Sequence, residues 1–82
     1  YSNYTTMELK EFVAQFAEQF DETEISEIQS DTVYKELDEW SSLTSMSIIA
    51  FVKTVIGKNV TMTDFKNAET VEDLYNVILS KK

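Results

Sequence analysis

The chain has 82 residues, enough for one small domain, and contains neither cysteine nor histidine. The lack of cysteine excludes disulfide bonds and thiolate metal ligands, so the packing of apolar side chains must hold the fold together. Fifteen acidic residues against seven lysines give a net charge of -8, which disfavours nucleic acid and anionic membranes as partners.

The absence of proline and the presence of a single glycine favour helices joined by polar loops, because sheets and tight hairpins usually need more of both residues. Together with the segments described below, this predicts an all-α fold, a small antiparallel bundle of three main helices plus one short helix. No apolar run is long enough to cross a bilayer and no signal-peptide pattern is present. We therefore expect a cytoplasmic monomer that neither inserts into a membrane nor binds nucleic acid.

The chain begins with a tyrosine, and Met7 lies where the first periodic segment starts. We interpret residues 1–6 as a disordered N-terminus or as an extension added in cloning or left by processing. Residues 7–80 are expected to form a single domain. No internal repeat, low-complexity tract or second domain is apparent.

The first helix is predicted from about Met7 to Phe20, with Thr5 or Thr6 as its N-cap and Glu8 in its first turn. Apolar residues recur in this segment at helical spacing and form one stripe, which we expect to be core: Leu9, Phe12, Val13, Phe16 and Phe20.

An acidic connection, residues 21–41, follows the first helix and is long for a structureless loop in so small a domain. We expect a helical turn near Thr23–Ile28. The apolar residues of the connection are expected to anchor it on the helices: Ile25, Ile28, Val33, Tyr34 and Leu37.

The second helix is predicted from about Ser42 to Ile56, with Gly57 as a left-handed C-cap. At 100° per residue its apolar residues form two faces. The face expected to be core contains Ile48, Ile49, Val52, Val55 and Ile56. The opposite face contains Leu43, Met46 and Ala50 beside Ser47 and Thr54, and Phe51 lies on the flank. Because a small core covers only one face, we expect the second face to bind a partner, although burial on both sides is an alternative.

Two further segments complete the chain. A short helix near Thr63–Asn67 is expected to turn Val60, Met62 and Phe65 inward. The last helix is predicted to start at Thr70 as N-cap, with Glu72 and Asp73 in its first turn. Its apolar face consists of Val71, Leu74, Tyr75 and Ile78.

The serines at the start of the second helix are the most informative residues for function. A hydroxyl without a histidine to activate it is better suited to modification by another enzyme than to attack on a substrate. The surrounding charge also changes here, since residues 1–41 contain eleven acids and residues 42–56 contain none. Capping the helix is the commonest structural role of such serines and remains an alternative for both.

From Met7 to about Ile78 the sequence resembles the acyl carrier protein family. The family motif Asp-Ser-Leu at the head of the second helix is matched by Ser41-Ser42-Leu43, and Trp40 is similar to the branch with Trp-Asp-Ser-Leu. The downstream residues that match the family pattern are Ile48-Ile49, Val52, Ile56-Gly57, Val60 and Glu69-Thr70-Val71-Glu72-Asp73-Leu74.

The resemblance implies that a phosphopantetheinyl transferase attaches 4'-phosphopantetheine from coenzyme A to Ser42, with Ser41 left as a helix cap. The arm would carry acyl groups as thioesters between enzymes of fatty-acid, polyketide or related acyl biosynthesis. The chain itself would not be an enzyme. Partner enzymes would dock on Leu43, Met46 and Ala50.

Two departures from the family pattern qualify this reading. Ser41 replaces the aspartate that helps the transferase hold its metal and cofactor. The exposed acids usual on the second helix are replaced by Thr44, Ser45, Ser47, Lys53, Thr54 and Val55. Electrostatic steering would therefore fall to the acids of the connection, Glu36, Asp38 and Glu39, with Asp64, Glu69 and Glu72.

Two other functions are compatible with the sequence. The chain is alternatively an unmodified carrier-like interaction module that binds a protein through Leu43, Met46 and Ala50, which the loss of the aspartate favours. An enzyme is the least favoured reading, because the carboxylates lie mostly on polar faces. A metal site at Asp21, Glu22 and Glu24 lacks the glycine and spacing of an EF-hand loop.

Overall fold

The computed structural model describes residues 8–81. This part of the chain is all-helical, with four α-helices in one small bundle, as the sequence predicts. The helices are α1 (Leu9–Glu18), α2 (Ser42–Phe51), α3 (Met62–Asn67) and α4 (Val71–Ser80). Short 3-10 turns occur at Ile25–Glu27 and Tyr34–Glu36, and a π-helical turn, Val52–Ile56, extends α2.

Helix α1 carries the expected stripe on its buried side. Phe12 and Phe16 are fully buried, and Phe20 is buried just beyond the helix. Leu9 and Val13 are half-buried at the margin of the core. The helix begins two residues later than predicted, with Glu8 as its N-cap, and the predicted caps Thr5 and Thr6 lie outside the described residues.

The connection between α1 and α2 is ordered by a few anchors. Ile28 and Tyr34 are buried as predicted, and Leu37 is half-buried. The prediction was wrong for Ile25 and Val33, which are 54% and 37% exposed. Val33 instead lies in a single β-bridge with Thr70, so this part of the connection is held by backbone pairing rather than by burial.

Helix α2 ends as the sequence predicts, at Gly57 with a left-handed φ of 82°. Its last five residues, however, form a π-helical turn closed by the bond from Gly57 N–H to the Val52 carbonyl, 2.9 Å long. Because a π turn contains more residues than an α turn, the residues after Phe51 rotate less per step than the prediction assumed. Val55 was therefore wrongly assigned to the core. It is 50% exposed, whereas Ile56, also predicted to be core, is half-buried against the core.

Helices α3 and α4 both start with a complete capping box. Thr61 and Asp64 exchange side-chain to backbone hydrogen bonds at α3, and Thr70 and Asp73 do so at α4. Val71, Leu74 and Ile78 bury the predicted face of α4, and Tyr75 is half-buried. Val60 and Phe65 point inward as expected. The prediction was wrong for Met62, the first residue of α3, whose side chain is 56% exposed.

The interior is built around aromatic rings contributed by every part of the described chain. Their centroids lie 4.8–6.3 Å apart in tilted or edge-on pairs, the arrangement that ring quadrupoles favour. Phe51, predicted to lie on the flank of α2, is 6% exposed and packs on Phe12 with centroids 5.8 Å apart. The connected rings are Phe12, Phe16, Phe20, Tyr34, Trp40, Phe51, Phe65 and Tyr75.

One buried polar group ties the connection to the far side of the core. The hydroxyl of Tyr34 lies 2.9 Å from the Phe65 carbonyl and 2.7 Å from the Ala68 carbonyl, which share its single proton. Burial, and the negative charge of Asp73 after it, raise the pKa of Tyr34 well above its usual value, so the hydroxyl stays a donor. The second half of the connection is thereby held against the C-terminal end of α3.

Candidate functional site

The two serines at the start of α2 have different roles. Ser41 is the N-cap: its backbone is extended, and its hydroxyl oxygen accepts a hydrogen bond from Thr44 N–H at 3.3 Å. Ser42 is the first helical residue and is exposed. Within residues 8–81 its hydroxyl makes no hydrogen bond. The capping role expected for Ser41 is confirmed, and the modification expected at Ser42 stays a prediction.

The backbone around Ser42 suits an anion. The first N–H groups of an α-helix have no acceptor within the helix, and those of Ser42 and Leu43 belong to this set. Together with the helix dipole, they make the start of a ten-residue helix favourable for a phosphate by about 0.3–1 kcal/mol at an exposed site. A phosphodiester on the Ser42 hydroxyl would lie beside these donors.

The outer face of α2 is apolar and uncharged over most of its length. Leu43 is 76% exposed and Met46 is 63% exposed, and Ala50 is also exposed. The alternative that α2 is buried on both sides is therefore wrong. The π turn adds Val55 to the exposed apolar residues of this segment, which the helical pattern did not predict. The exposed lysine of the segment, Lys53, donates a 3.2 Å hydrogen bond to Asn59.

The predicted steering acids differ from one another in the structure. Glu36 and Asp38 are exposed, and their carboxylates make no hydrogen bond or ion pair within residues 8–81. Glu39 is half-buried, and its carboxylate accepts hydrogen bonds from three consecutive residues, Asp21, Glu22 and Thr23. Sequence reasoning grouped the three acids, but only Glu36 and Asp38 have carboxylates directed to solvent alone.

The hydrogen bonds to Glu39 are short and convergent. Its carboxylate oxygens lie 2.6 Å from the Asp21 N–H nitrogen, 3.0 Å from that of Glu22 and 2.8 Å from the Thr23 hydroxyl. Burial alone would raise the pKa of the Glu39 carboxyl, but these donors outweigh it and hold the pKa below the usual value. The carboxylate is therefore charged near neutral pH, and its donors come from the protein.

The same residue is linked to α2 through its backbone. The Thr44 hydroxyl donates to the Glu39 carbonyl at 2.7 Å, and the Ser41 hydroxyl lies 3.2 Å from the Thr44 hydroxyl oxygen. Since the Thr44 proton is directed to Glu39, Ser41 is the donor in the second contact. Thr44 is only 7% exposed, so this cluster forms the floor beneath the first turn of α2.

Acidic side chains also line an open depression of about 630 Å³ beside the connection. Its carboxylates include those of Glu27, Glu36 and Asp38. Within residues 8–81 no three carboxylates are arranged to hold a metal ion, and the sequence cluster at Asp21, Glu22 and Glu24 does not converge.

No protein-family model matches the chain, and searches of curated proteins and of solved structures give no match either. In the described part of the chain, no helix is long and apolar enough to cross a membrane.

Proposed function

We propose that this chain is an acyl carrier protein, a non-catalytic carrier with 4'-phosphopantetheine attached to Ser42. One observation carries the proposal: the hydroxyl that matches the family motif is exposed at the start of α2, while the neighbouring Ser41 performs the capping. A serine needed only as a cap would resemble Ser41, with its oxygen bonded to a backbone N–H. Ser42 is instead available to another enzyme.

The residues present fit the attached group. In the loading step a transferase would form a bond between the Ser42 oxygen and the pantetheine-side phosphorus of coenzyme A. The pyrophosphate bond would break, adenosine bisphosphate would leave, and the serine proton would pass to a base of the transferase. Once bound, the group supplies the thiol that the cysteine-free chain lacks. The N–H groups at the start of α2 would stabilise the phosphodiester charge.

The outer face of α2 supports docking of partner enzymes beside that site. Leu43 is adjacent to Ser42 and Met46 follows one turn later, so a protein that binds these side chains would be placed next to the attached arm. Ala50 extends the face by a further turn. The partners are the transferase and enzymes that make or transfer acyl groups, in fatty-acid, polyketide or related biosynthesis in the cytoplasm. The exposed acids Glu36 and Asp38 would steer a basic partner towards this end.

Loading with coenzyme A tests the proposal. The purified chain is incubated with coenzyme A and a broad-specificity phosphopantetheinyl transferase, and its intact mass is measured. We expect the addition of one phosphopantetheinyl group to the wild type, none to Ser42→Ala, and one to Ser41→Ala. Ser41→Ala is the matched control because it removes the adjacent hydroxyl and weakens only the helix cap, by about 0.5–2 kcal/mol. Failure of several transferases to modify the folded wild type would contradict the proposal.

A second function is favoured by one observation. The position before Ser42 is occupied by Ser41, whose hydroxyl is committed to capping, so the first turn of α2 provides no carboxylate for the transferase metal. This favours an unmodified interaction module that binds a protein through Leu43, Met46 and Ala50. The Ser42→Ala variant of such a module would bind its partner as well as the wild type does. The Ser41→Asp variant would not become a substrate of the transferase. A carrier limited only by the missing carboxylate would instead be loaded faster as Ser41→Asp.

A further inference from the structure

We propose that Glu39 is a positioning residue that joins the exit of α1 to the first turn of α2 and so fixes how Ser42 is presented to the transferase. The functional half of this inference rests on the proposed loading of Ser42. The structural half, a mechanical link between the two helix ends, does not.

The first half of the link is the carboxylate. It receives the N–H groups of Asp21 and Glu22 and the hydroxyl of Thr23 at 2.6–3.0 Å. A second contact from Glu22 N–H to the other oxygen, at 3.2 Å, makes the arrangement two-pronged. Hydrogen bonds to an ionised acceptor are the stronger class, so one side chain fixes three residues that would otherwise form a free loop after α1.

The second half of the link is the backbone of the same residue. The Glu39 carbonyl accepts the Thr44 hydroxyl at 2.7 Å, and Thr44 in turn is the residue that Ser41 caps. The chain of contacts therefore runs from Asp21 through Glu39 to Thr44 without leaving hydrogen-bonding distance. In the sequence Ser42 lies between the capping residue Ser41 and Thr44. A displacement of Glu39 would therefore shift Ser42 through the contacts of Ser41 and Thr44.

The residue after Glu39 anchors the link in the core. Trp40 packs its ring 4.8 Å from that of Tyr34 and 5.3 Å from that of Phe65, measured between centroids, and 6.3 Å from that of Phe20. Trp40 thus anchors the backbone in the core while the Glu39 carboxylate reaches the α1 exit. Residues 21–23 are fixed to the core through this pair rather than through apolar contacts of their own, since Asp21 and Glu22 are exposed.

The charges around Glu39 argue against a role in electrostatic steering. Its carboxylate shares an acidic depression with Asp21, Glu22, Glu27, Glu36 and Asp38, and its own lone pairs are directed at protein donors. Glu36 and Asp38 present the same charge to solvent without internal bonds. If steering were the purpose, these two acids would serve better than Glu39.

Three variants separate positioning from charge. Glu39→Asp keeps the charge but shortens the side chain by one methylene, so it loses the reach to residues 21–23. Glu39→Gln keeps the length and one acceptor oxygen but loses the charge. Glu36→Gln, on the same surface and without internal bonds, is the matched control. The rate of Ser42 loading is measured against carrier concentration for each, at a temperature below the melting transition of every variant.

Positioning predicts that kcat/KM falls about tenfold for Glu39→Asp and by a smaller factor for Glu39→Gln that still exceeds the effect of Glu36→Gln, with a fall in kcat as well as any rise in KM. Glu36→Gln is expected to change only KM, by less than about threefold. Steering predicts the opposite order, with Glu39→Asp equal to wild type. A wild-type rate for Glu39→Asp, or equal effects of Glu39→Gln and Glu36→Gln, would overturn the proposal.

A second measurement needs no transferase and therefore distinguishes this proposal from the proposed function. Amide hydrogen exchange is followed at Glu22, whose N–H binds Glu39, and at Ser45, whose N–H binds the Ser41 carbonyl at 2.9 Å. The link predicts faster exchange at both sites in Glu39→Gln and at neither in Glu36→Gln. Faster exchange at Glu22 with an unchanged rate at Ser45 would show that Glu39 only closes a loop. That result would overturn the proposal even if Ser42 is loaded normally.

Discussion

The inner and outer faces of α2 are both apolar, yet only the inner face packs in the core. On the inner face Ile48 is fully buried and Phe51 is 6% exposed against Phe12. On the outer face Leu43 and Met46, equally apolar, are 76% and 63% exposed. Hydrophobicity alone therefore does not assign these residues. The limited area of a small core does, and the uncovered apolar side chains are available for recognition.

The largest expected effect separates a core aromatic residue from an outer-face residue of similar apolar character. Phe16 is fully buried, with ring centroids 5.6–5.9 Å from those of Phe12, Phe20 and Tyr34. Phe16→Ala should lower the free energy of unfolding by about 3–5 kcal/mol, because it removes buried area and leaves a cavity. Met46→Ala should change it by less than about 0.5 kcal/mol. Urea unfolding of both variants checks this, and equal losses would remove the contrast between the faces.

A smaller effect is expected from the polar tie within the core. Tyr34→Phe keeps the ring but removes the proton shared by the carbonyls of Phe65 and Ala68. We expect a loss of about 1–3 kcal/mol, because buried acceptors are left without a donor. Urea unfolding measures the loss, and NMR shifts of Leu43 and Met46 should remain unchanged. An unchanged unfolding midpoint would mean that water replaces the donor.

The π turn at the end of α2 places Val55 on the exposed side, so its closing residue tests how the two faces are separated. Gly57 closes the turn at a φ of 82°, and a Cβ there would meet no atom within 4 Å. Gly57→Ala should therefore cost about 1–2 kcal/mol from backbone strain alone. Gly57→Asn should cost less, because asparagine tolerates the left-handed region. Equal thermal stability of wild type and Gly57→Ala would contradict the left-handed cap.

The smallest effect is expected at the surface ion pair between α3 and the end of α4. Lys81 Nζ lies 2.8 Å from Asp64 Oδ2. Burial alone would raise the pKa of Asp64. The hydrogen bonds from Lys81 and Thr61, together with the Lys81 charge, outweigh this effect and hold the pKa below its usual value. Because the pKa of Asp64 is lower in the folded state, the ionised carboxylate stabilises the fold at pH values above the unfolded pKa of 3.8. This contribution is lost as the pH falls through the folded-state pKa.

Asp64→Asn should thus cost about 1 kcal/mol or less at neutral pH, since the pair is half-buried at the surface and partly screened by solvent. The difference in stability between the variant and the wild type should vanish at strongly acidic pH, where the protonated aspartic acid of the wild type is as neutral as the asparagine of the variant. Urea unfolding at several pH values measures this. A difference that stayed constant from neutral to acidic pH would contradict the assigned pKa direction.

The sequence predicts the helices better than it predicts the site. Amphipathic spacing identified α1 and α4, and the cap at Thr70 followed from side-chain chemistry next to an apolar run. Helix α2 was placed by its apolar run and by Gly57, but its π turn left no signal in the sequence, so Val55 was wrongly assigned to the core. The capping role of Ser41 was predicted from the family resemblance, in which leucine follows the modified serine, and the structure confirms the cap.

The role of Glu39 was not predictable from the sequence. Its donors lie 16–18 residues earlier, and their proximity depends on how the connection closes on the core. In the sequence Glu39 is one acid among many, and only burial and donor geometry distinguish it from Glu36 and Asp38. Similarly, the position of Val33 depends on its β-bridge with Thr70, which apolar spacing does not encode.

The most direct test of the account is to locate the modification after loading. The wild-type chain is treated with coenzyme A and a transferase, digested, and fragmented by mass spectrometry across Trp40-Ser41-Ser42-Leu43. The account predicts that the whole added phosphopantetheinyl mass is carried by Ser42 and none by Ser41. Modification of Ser41, or a folded chain that several transferases leave unmodified, would contradict it.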